Sequence, residues 1–402
     1  MPIVHADRPP VATPAEVRTW DDARRSYEWL SRACDRRFVG RPARRLLDLL
    51  TSIPSLDAGH DLEAPNLAVK TVARLARRGV GAGLIEHLRA TGAPLLSTFY
   101  TPAVIAADAG LPGVHCVVTD VDVHRVWVPR DPRASSVTYC VPAQRTVRRL
   151  VAYGVPADRI HLTGFPLPPE LLGGRELPVA RRVFAARLAR LDPSGAVRRD
   201  EGAALVHLLG DAADVARDTP PAPLHVAFAV GGAGAQTRYA HALARGLAES
   251  VRAGHVRLTF VAGRRAEVAE RLSDALARAG LSDLPPGRAQ VLRAPEFTSY
   301  LDAFHRLLAE TDVLWTKPSE LTFFAALGLP LVFSPPLGSH ERANRRHARR
   351  ARAALRPGSP LRAGEFLRRA LASGELARAA LAGWRALPKR GTYRILDVAA
   401  RG

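Results

Sequence analysis

The 402-residue sequence has few cysteines, few lysines and no long apolar run. Its cysteines, Cys34, Cys116 and Cys140, are odd in number and lack a Cys-x-x-Cys spacing, which argues against a disulfide framework and a structural zinc site. No stretch reaches the roughly 18 apolar residues of a membrane-spanning helix. The first residues also lack the basic and apolar regions of a signal peptide. These absences predict a cytoplasmic protein with reduced thiols.

Positive charge, by contrast, is abundant: 58 basic residues against 38 acidic ones give a formal net charge of +20. Only three of the basic residues are lysines and 55 are arginines, and some of the arginines form two dense groups. The groups are Arg36, Arg37, Arg41, Arg44, Arg45 and Arg342, Arg345, Arg346, Arg349, Arg350, Arg352. A compositional bias explains them without any function, whereas an anionic membrane surface is the partner that their charge favours. Nucleic acid is disfavoured, because no aromatic residues alternate with the arginines to stack on bases.

Apolar strand patterns alternate with helical patterns in two parts of the chain. Strands are predicted at 94–98, 114–120 and 136–141, and again at 224–230, 256–262, 289–292, 313–315 and 331–334. This alternation predicts an α/β fold with two Rossmann-like domains. We place an N-terminal domain at 1–170, an interdomain segment at 171–222, a C-terminal domain at 223–355 and a helical tail at 356–402.

Two turns that follow predicted strands have phosphate-binding chemistry. Gly231, Gly232 and Gly234 precede Gln236 and a helix, so backbone amides and the helix N-terminus are available to an anion. A tight turn without a ligand would contain the same glycines, and their spacing is not that of a dinucleotide fingerprint. Lys317 follows another strand and is placed to oppose a diphosphate, although a surface lysine fits the same pattern. Because ligands of doubly wound sheets bind beyond the carboxyl ends of the strands, each turn strengthens the interpretation of the other.

A third polar group stands after the predicted strand at 114–120. Asp120, Asp122 and His124 alternate, so in an extended segment they would project to one side. With His115 they superficially resemble metal ligands, but polar residues where a strand ends are commoner, and no metal is predicted. A carboxylate and an imidazole at this edge suit general acid/base chemistry or acceptor positioning. Asp120 and His124 are therefore the predicted catalytic residues.

Ordered motifs run through both halves of the sequence: VVTDVDVHRVW at 117–127, YGVPADRIHLTGFP at 153–166, TDVLWTKP at 311–318, GLP at 328–330 and GSHERAN at 338–344. In this order and spacing they resemble the monogalactosyldiacylglycerol synthases, the processive diacylglycerol glucosyltransferases and MurG. The resemblance covers roughly residues 90–350. It implies a GT-B fold, in which the two domains face each other across a cleft.

The same resemblance implies a hexosyltransferase that uses a nucleotide sugar, usually a UDP-sugar, and a lipid acceptor approached from a membrane surface. It requires no cofactor besides the donor. It assigns the loop from Gly232 to Gln236, Lys317, Glu341 and Asn344 to the donor site. It assigns Asp120 and His124 to the cleft side of the N-terminal domain. The protein would then be cytoplasmic and peripheral on the inner face of the membrane.

The sequence departs from this family in two places. The family begins with a strand and a loop bearing a Gly-His pair, but here no glycine precedes Gly40. The family also has a glutamate in the helix after the Lys-Pro turn, where Ala325 or Phe323 stands in this chain. Glu320 is the nearest carboxylate and is the predicted substitute. The departures keep two alternatives open: a non-catalytic binding protein of the same fold, and a sugar-nucleotide 2-epimerase.

Overall fold

A computed structural model describes residues 3–33, 52–57, 59, 61–230, 236–336 and 338–401 of the protein. Within these residues, three helices come first: α1 (Pro14–Ala33), α2 (Leu67–Arg77) and α3 (Ala82–Thr91). The Asn66 side chain caps α2 by accepting a hydrogen bond from the Val69 backbone N–H, which satisfies one of the amides that a helix start leaves open. Within the described part of the chain, no strand precedes Leu95.

The first sheet has four parallel strands in the order β1-β2-β3-β4. They are β1 (Leu95–Ser97), β2 (Val114–Val117), β3 (Thr138–Val141) and β4 (Ile160–Leu162). The helices α4 (Tyr100–Asp108) and α5 (Gln144–Ala152) cross between strands. All four residues of β2 are buried, as expected of a parallel strand covered on both faces.

The second sheet has six parallel strands in the order β10-β9-β8-β5-β6-β7. They are β5 (Leu224–Ala229), β6 (Val256–Gly263), β7 (Ala289–Arg293), β8 (Val313–Thr316), β9 (Leu331–Phe333) and β10 (Ala354–Leu355). The connecting helices are α11 (Thr237–Arg252), α12 (Ala266–Arg278), α13 (Phe297–Glu310) and α14 (Ser339–Arg350), with a 3-10 helix at Glu320–Leu327. The strand order reverses between β5 and β8, which makes this a doubly wound sheet.

Five helices connect the two sheets: α6 (Pro169–Leu172), α7 (Pro178–Leu191), α8 (Ala196–Asp200), α9 (Gly202–Leu209) and α10 (Val215–Asp218). The fully buried Arg187 of α7 fastens this segment to the second domain. Its guanidinium donates to the carbonyl oxygens of Thr311, Leu308 and Leu327 at 2.7, 2.8 and 2.6 Å. The segment therefore packs on the second domain and is not a free linker.

The chain ends in three further helices, α15 (Ala363–Ala372), α16 (Glu375–Ala386) and α17 (Gly391–Ala399). Trp384 of α16 stacks on Phe184 of α7, with 4.5 Å between ring centroids. Ile395 of α17 packs against Val117 and Cys140 in the first sheet. The tail thus covers the second domain and then returns to the first.

The predicted α/β fold with two Rossmann-like domains facing across a cleft is confirmed. Asp120, just after β2, lies 2.7 Å from Asn344 of α14, so the carboxyl edges of the two sheets face each other. Strands β4 and β10 were not predicted, because each has only two or three residues. The helix predicted at 321–327 forms as a 3-10 helix whose residues 322–327 are all buried. The proposed domain boundaries stay predictions.

Candidate functional site

The reversal of strand order in the second sheet places Lys317 at its carboxyl edge. Ala229 at the end of β5 pairs with Thr316 at the end of β8, and the Thr316 hydroxyl donates to the Ala229 carbonyl at 3.2 Å. Lys317 follows Thr316 directly. Three glycines of the predicted loop after β5 lie outside the described residues: Gly231, Gly232 and Gly234. Such a reversal is where doubly wound sheets bind ligands, so Lys317 lies at the position that the fold offers to one.

Lys317 is held by Glu341, the third residue of α14. Their side chains form an ion pair with 2.5 Å between Lys317 Nζ and a Glu341 carboxylate oxygen. Glu341 is 1% exposed, and the side chain of Lys317 is 13% exposed. A buried carboxylate needs such a partner, because an isolated charge is costly away from water. The pair fixes the ammonium group at the edge of the sheet, and it brings together two residues that the sequence resemblance assigns to the donor site.

Two buried hydroxyl groups lie in the turn that follows Lys317. Ser319 is 3% exposed and Thr322 is 1% exposed. Within the described residues, neither hydroxyl has a hydrogen-bond partner. Buried polar groups are usually satisfied, so these two are candidates to bond a ligand. The sequence analysis did not single them out, although serine and threonine beside a lysine at the start of a helix are themselves a signal of anion binding.

Gln236 closes the loop between β5 and α11. Its backbone is left-handed, with φ of 74°, and its side chain is buried. The amide nitrogen donates to the Pro335 carbonyl at 2.8 Å, and the amide oxygen accepts from the Ser334 hydroxyl at 2.7 Å. Both ends of the side chain therefore fasten the start of α11 to the segment after β9. Contact between Gln236 and a donor stays a prediction.

Asn344 of α14 connects the two domains. Its amide nitrogen donates to a carboxylate oxygen of Asp120 at 2.7 Å, and its amide oxygen accepts from the Val121 backbone N–H at 3.0 Å. Asn344 is fully buried. One side chain from the second domain thus orients the loop that carries the predicted catalytic carboxylate, and it lies one helical turn beyond the partner of Lys317.

The surroundings of Asp120 raise the pKa of its carboxyl group. Burial raises the pKa of Asp120, and the negative charges of Glu320 and Glu341 raise it further. The charge of His340 and the hydrogen bond from Asn344 act in the opposite direction without reversing the shift. A carboxylate with a raised pKa is a stronger base than an exposed aspartate, as general base catalysis near neutral pH requires.

The sequence predicted that Asp120, Asp122 and His124 project to one side. For Asp122 this prediction is wrong. Asp122 is 2% exposed and accepts hydrogen bonds from Arg149 at 2.7 Å and from Arg145 at 2.6 Å. The segment after β2 leaves the extended conformation, because these two arginines of α5 draw Asp122 into the domain. In the described part of the chain, no three His, Cys, Asp or Glu side chains are grouped as metal ligands.

His124 lies four residues after Asp120. It lines a large cavity in the first domain. Asp120 instead contacts Asn344 at the domain junction. The structure therefore places the two predicted catalytic residues on one loop with different neighbours. Their shared role in catalysis stays a prediction.

Glu320 is exposed at the start of the 3-10 helix, and its charge raises the pKa of both Asp120 and Tyr300. It therefore lies near the Asp120 carboxylate. Phe323, one of the two residues aligned with the family's glutamate, stacks on Phe165 of the segment after β4, with 4.3 Å between ring centroids. Ala325, the other, is fully buried. Both positions serve packing, which leaves Glu320 as the carboxylate that this turn presents.

Fold and site together define a two-domain α/β protein in which the ammonium group of Lys317 and the half-buried carboxylate of Asp120 lie at the junction of the two sheets. Within the described residues, no helix is long and apolar enough to cross a membrane. The sequence matches no protein-family model. It also matches no curated protein.

Several solved structures are similar to this chain. The UDP-GlcNAc 2-epimerase from Neisseria meningitidis bound to UDP-GlcNAc has 10% identity over 84% of this chain and 83% of that chain, with a TM-score of 0.47. The S. aureus MnaA-UDP co-structure has 9% identity, coverage of 86% and 79%, and a TM-score of 0.49. MurG from Acinetobacter baumannii has 16% identity, coverage of 91% and 89%, and a TM-score of 0.44. At these values the likeness identifies neither a ligand nor a reaction.

Proposed function

We propose that the protein is a glycosyltransferase that moves a sugar from a nucleotide diphosphate, UDP in the first instance, to a hydroxyl group of a lipid acceptor. The observation that carries the proposal is the position of Lys317 at the strand-order reversal, on the same edge of the sheet as the Asn344–Asp120 contact. In a transfer reaction, a cation can stabilise the leaving diphosphate and a carboxylate from the facing domain can take the proton of the acceptor hydroxyl. The sequence resemblance at 117–127 and 311–318 supports the same reaction.

The donor diphosphate binds at the carboxyl edge of β8 in this proposal. Lys317 supplies a positive charge, and the buried hydroxyls of Ser319 and Thr322 supply two further donors. Glu341 keeps the ammonium in place before the donor arrives, so little reorganisation is needed when negative charge develops on the diphosphate.

Asp120 acts on the acceptor. Its carboxylate takes the proton of the acceptor hydroxyl as the hydroxyl oxygen forms a bond to the anomeric carbon of the sugar. The bond between that carbon and the diphosphate oxygen breaks, and its electron pair leaves with the diphosphate, which Lys317 stabilises. Asn344 orients the carboxylate, and His124 positions the acceptor.

The membrane part of the proposal rests on α14. Arg346, Arg349 and Arg350 are exposed on this helix, close to the domain junction. Their charge suits an anionic lipid surface, because each arginine near such a surface contributes about 1 kcal/mol. The other arginine group, at 36–45, lies outside the described residues.

Calorimetric titration with UDP tests the donor site. Replacing Lys317 alone would take an ion-pair partner from the buried Glu341 carboxylate, at a cost of about 3 kcal/mol, so loss of binding would be ambiguous. The matched variant is therefore Lys317→Met with Glu341→Gln, which removes both charges and keeps both shapes. We expect the wild type to bind UDP, and the double variant to keep its melting temperature but to bind at least tenfold more weakly.

No heat of binding with millimolar UDP, or equal affinity of the two proteins, would refute the donor site. Incubation with radiolabelled UDP-sugars and a lipid acceptor then separates the reactions. Sugar in the lipid fraction supports transfer, whereas epimerised donor formed without acceptor points to the epimerase alternative. Binding without any turnover would contradict the catalytic part of the proposal.

A further inference from the structure

The first domain contains a cavity of about 2140 Å³. Pockets for drug-sized ligands measure roughly 300–1,000 Å³, so this cavity has room for a longer molecule. It lies between α1, α2 and α3 on one side and β1 on the other, and residues of α13 and α17 also line it. It thus extends from the first domain to the second domain and the tail.

The walls of the cavity are mostly apolar. Val72 and Leu75 of α2, Leu84 and Leu88 of α3, and Leu95 and Leu96 of β1 all line it. Eleven large hydrophobic side chains are exposed in the described residues, and five of them surround this one cavity. Those five are Ile3, Val4, Leu67, Phe99 and Leu396. Exposed apolar surface gathered in this way marks a binding site for an apolar molecule.

Two polar side chains in the cavity lining have no hydrogen-bond partner in the part of the chain that the structure describes. His115 of β2 is 2% exposed, and within the described residues neither of its ring nitrogens has a hydrogen-bond partner. The indole N–H of Trp20 on α1 is likewise buried and unbonded there. Leaving such a group unsatisfied costs about 1–3 kcal/mol. A ligand with oxygen atoms along an otherwise apolar chain would satisfy both groups.

We propose that this cavity binds a single lipid molecule, with its alkyl chain against the leucines and its ester or hydroxyl oxygens bonded to His115 and Trp20. His124 lines the same cavity and stands on the loop of Asp120. If the proposed function holds, the lipid is its acceptor and the loop leads the head group toward the transfer site. The lipid chain then leaves the membrane and lies inside the first domain, while its head group reacts at the domain junction.

Fluorescence of dansylundecanoic acid, displaced by 1-monopalmitoylglycerol, tests the cavity in the full-length protein. Leu75→Trp places a larger side chain at a half-buried position in the lining. Val206→Trp is the matched control, because Val206 is exposed and lies outside the cavity. We expect one probe to bind per protein, with affinity at least tenfold lower in Leu75→Trp and unchanged in Val206→Trp.

His115→Phe tests the polar part. It should weaken 1-monopalmitoylglycerol at least threefold while leaving the displacement by dodecane unchanged, and it should not lower the melting temperature. Equal binding by Leu75→Trp and Val206→Trp, or many probes per protein, would overturn the proposal and indicate surface adsorption. UDP titration of the same variants keeps the two proposals apart. Intact UDP binding with no lipid binding would reject the lipid site alone, and the reverse result would reject the donor site alone.

Discussion

At the residue scale, neighbours distant in sequence decide what each charged side chain does. Asp120 and Asp122 are two positions apart and are both carboxylates, yet Asp120 contacts Asn344 of the other domain while Asp122 is bound by Arg145 and Arg149. The spacing of the two aspartates along the sequence predicted that both project to the same side, and it gave no sign of their different partners. Lys317 was recognisable because its signal is local: a lysine that ends a strand and precedes a helical turn. The pairing of Lys317 with Glu341 spans 24 residues and had no such local signal.

The raised pKa of Asp120 leads to a prediction about stability and pH. Folded Asp120 keeps its proton to higher pH than the unfolded chain does, so the folded state loses stability as pH rises through the interval between the two pKa values. Asp120→Asn cannot ionise and keeps an oxygen to accept from Asn344. We expect its melting temperature at pH 7 to exceed that of the wild type by ~2 °C, with the difference shrinking toward pH 4.

The same variant should lose sugar transfer, because no base remains. Calorimetric melting curves at several pH values measure the first effect, and product formation measures the second. A melting temperature below the wild type at pH 7, or a difference that grows toward acid pH, would show that the carboxylate stabilises the fold. Retained transfer would show that Asp120 is not the base.

At the scale of elements, strands with apolar runs were predictable, whereas the very short strands β4 and β10 were not. The strands β5, β6 and β8 have apolar runs followed by turn residues, which is a signal that survives without tertiary information. By contrast, β10 has two residues and exists because it pairs with β9. The helix predicted at 321–327 is a 3-10 helix, and because residues 322–327 are all buried, no periodicity of apolar residues distinguishes it from an α-helix.

Arg187 of α7 gives the prediction at this scale. Burial lowers its pKa to about 10, and its three hydrogen bonds all go to carbonyl groups of the second domain. Arg187→Met would leave those carbonyls without this donor, and we expect a loss of about 3 kcal/mol in the free energy of unfolding. The control is Arg182→Met on the same helix, where the side chain is exposed. Urea unfolding measures both, and an equal small effect of the two substitutions would contradict the role of Arg187.

At the scale of the whole molecule, the two sheets meet at their carboxyl edges and the tail crosses back over them. Strand and helix alternation sufficed to predict two parallel-sheet domains. It did not predict that the segment at 171–222 packs on the second domain, because the contacts of Arg187 lie more than 120 residues away. Nor did it predict the apolar cavity, which depends on how three helices surround β1.

The exposed arginines of α14 make a prediction for the whole molecule on membranes. We expect the protein to sediment with phosphatidylglycerol vesicles and not with phosphatidylcholine vesicles, and to be released by salt. Replacing Arg346, Arg349 and Arg350 by glutamine should lower this affinity at least tenfold. The charge-matched control replaces Arg368, Arg369 and Arg394, which are exposed on the tail helices. Equal losses in both variants would mean that net charge, and not this surface, drives association.

A crystal structure of the protein with UDP is the most direct test of the central claim. We predict that the diphosphate lies at the carboxyl edge of β8 within hydrogen-bond distance of Lys317 Nζ, between the second sheet and the Asp120 loop. UDP bound anywhere else, or a diphosphate separated from Lys317 by the width of the sheet, would contradict it.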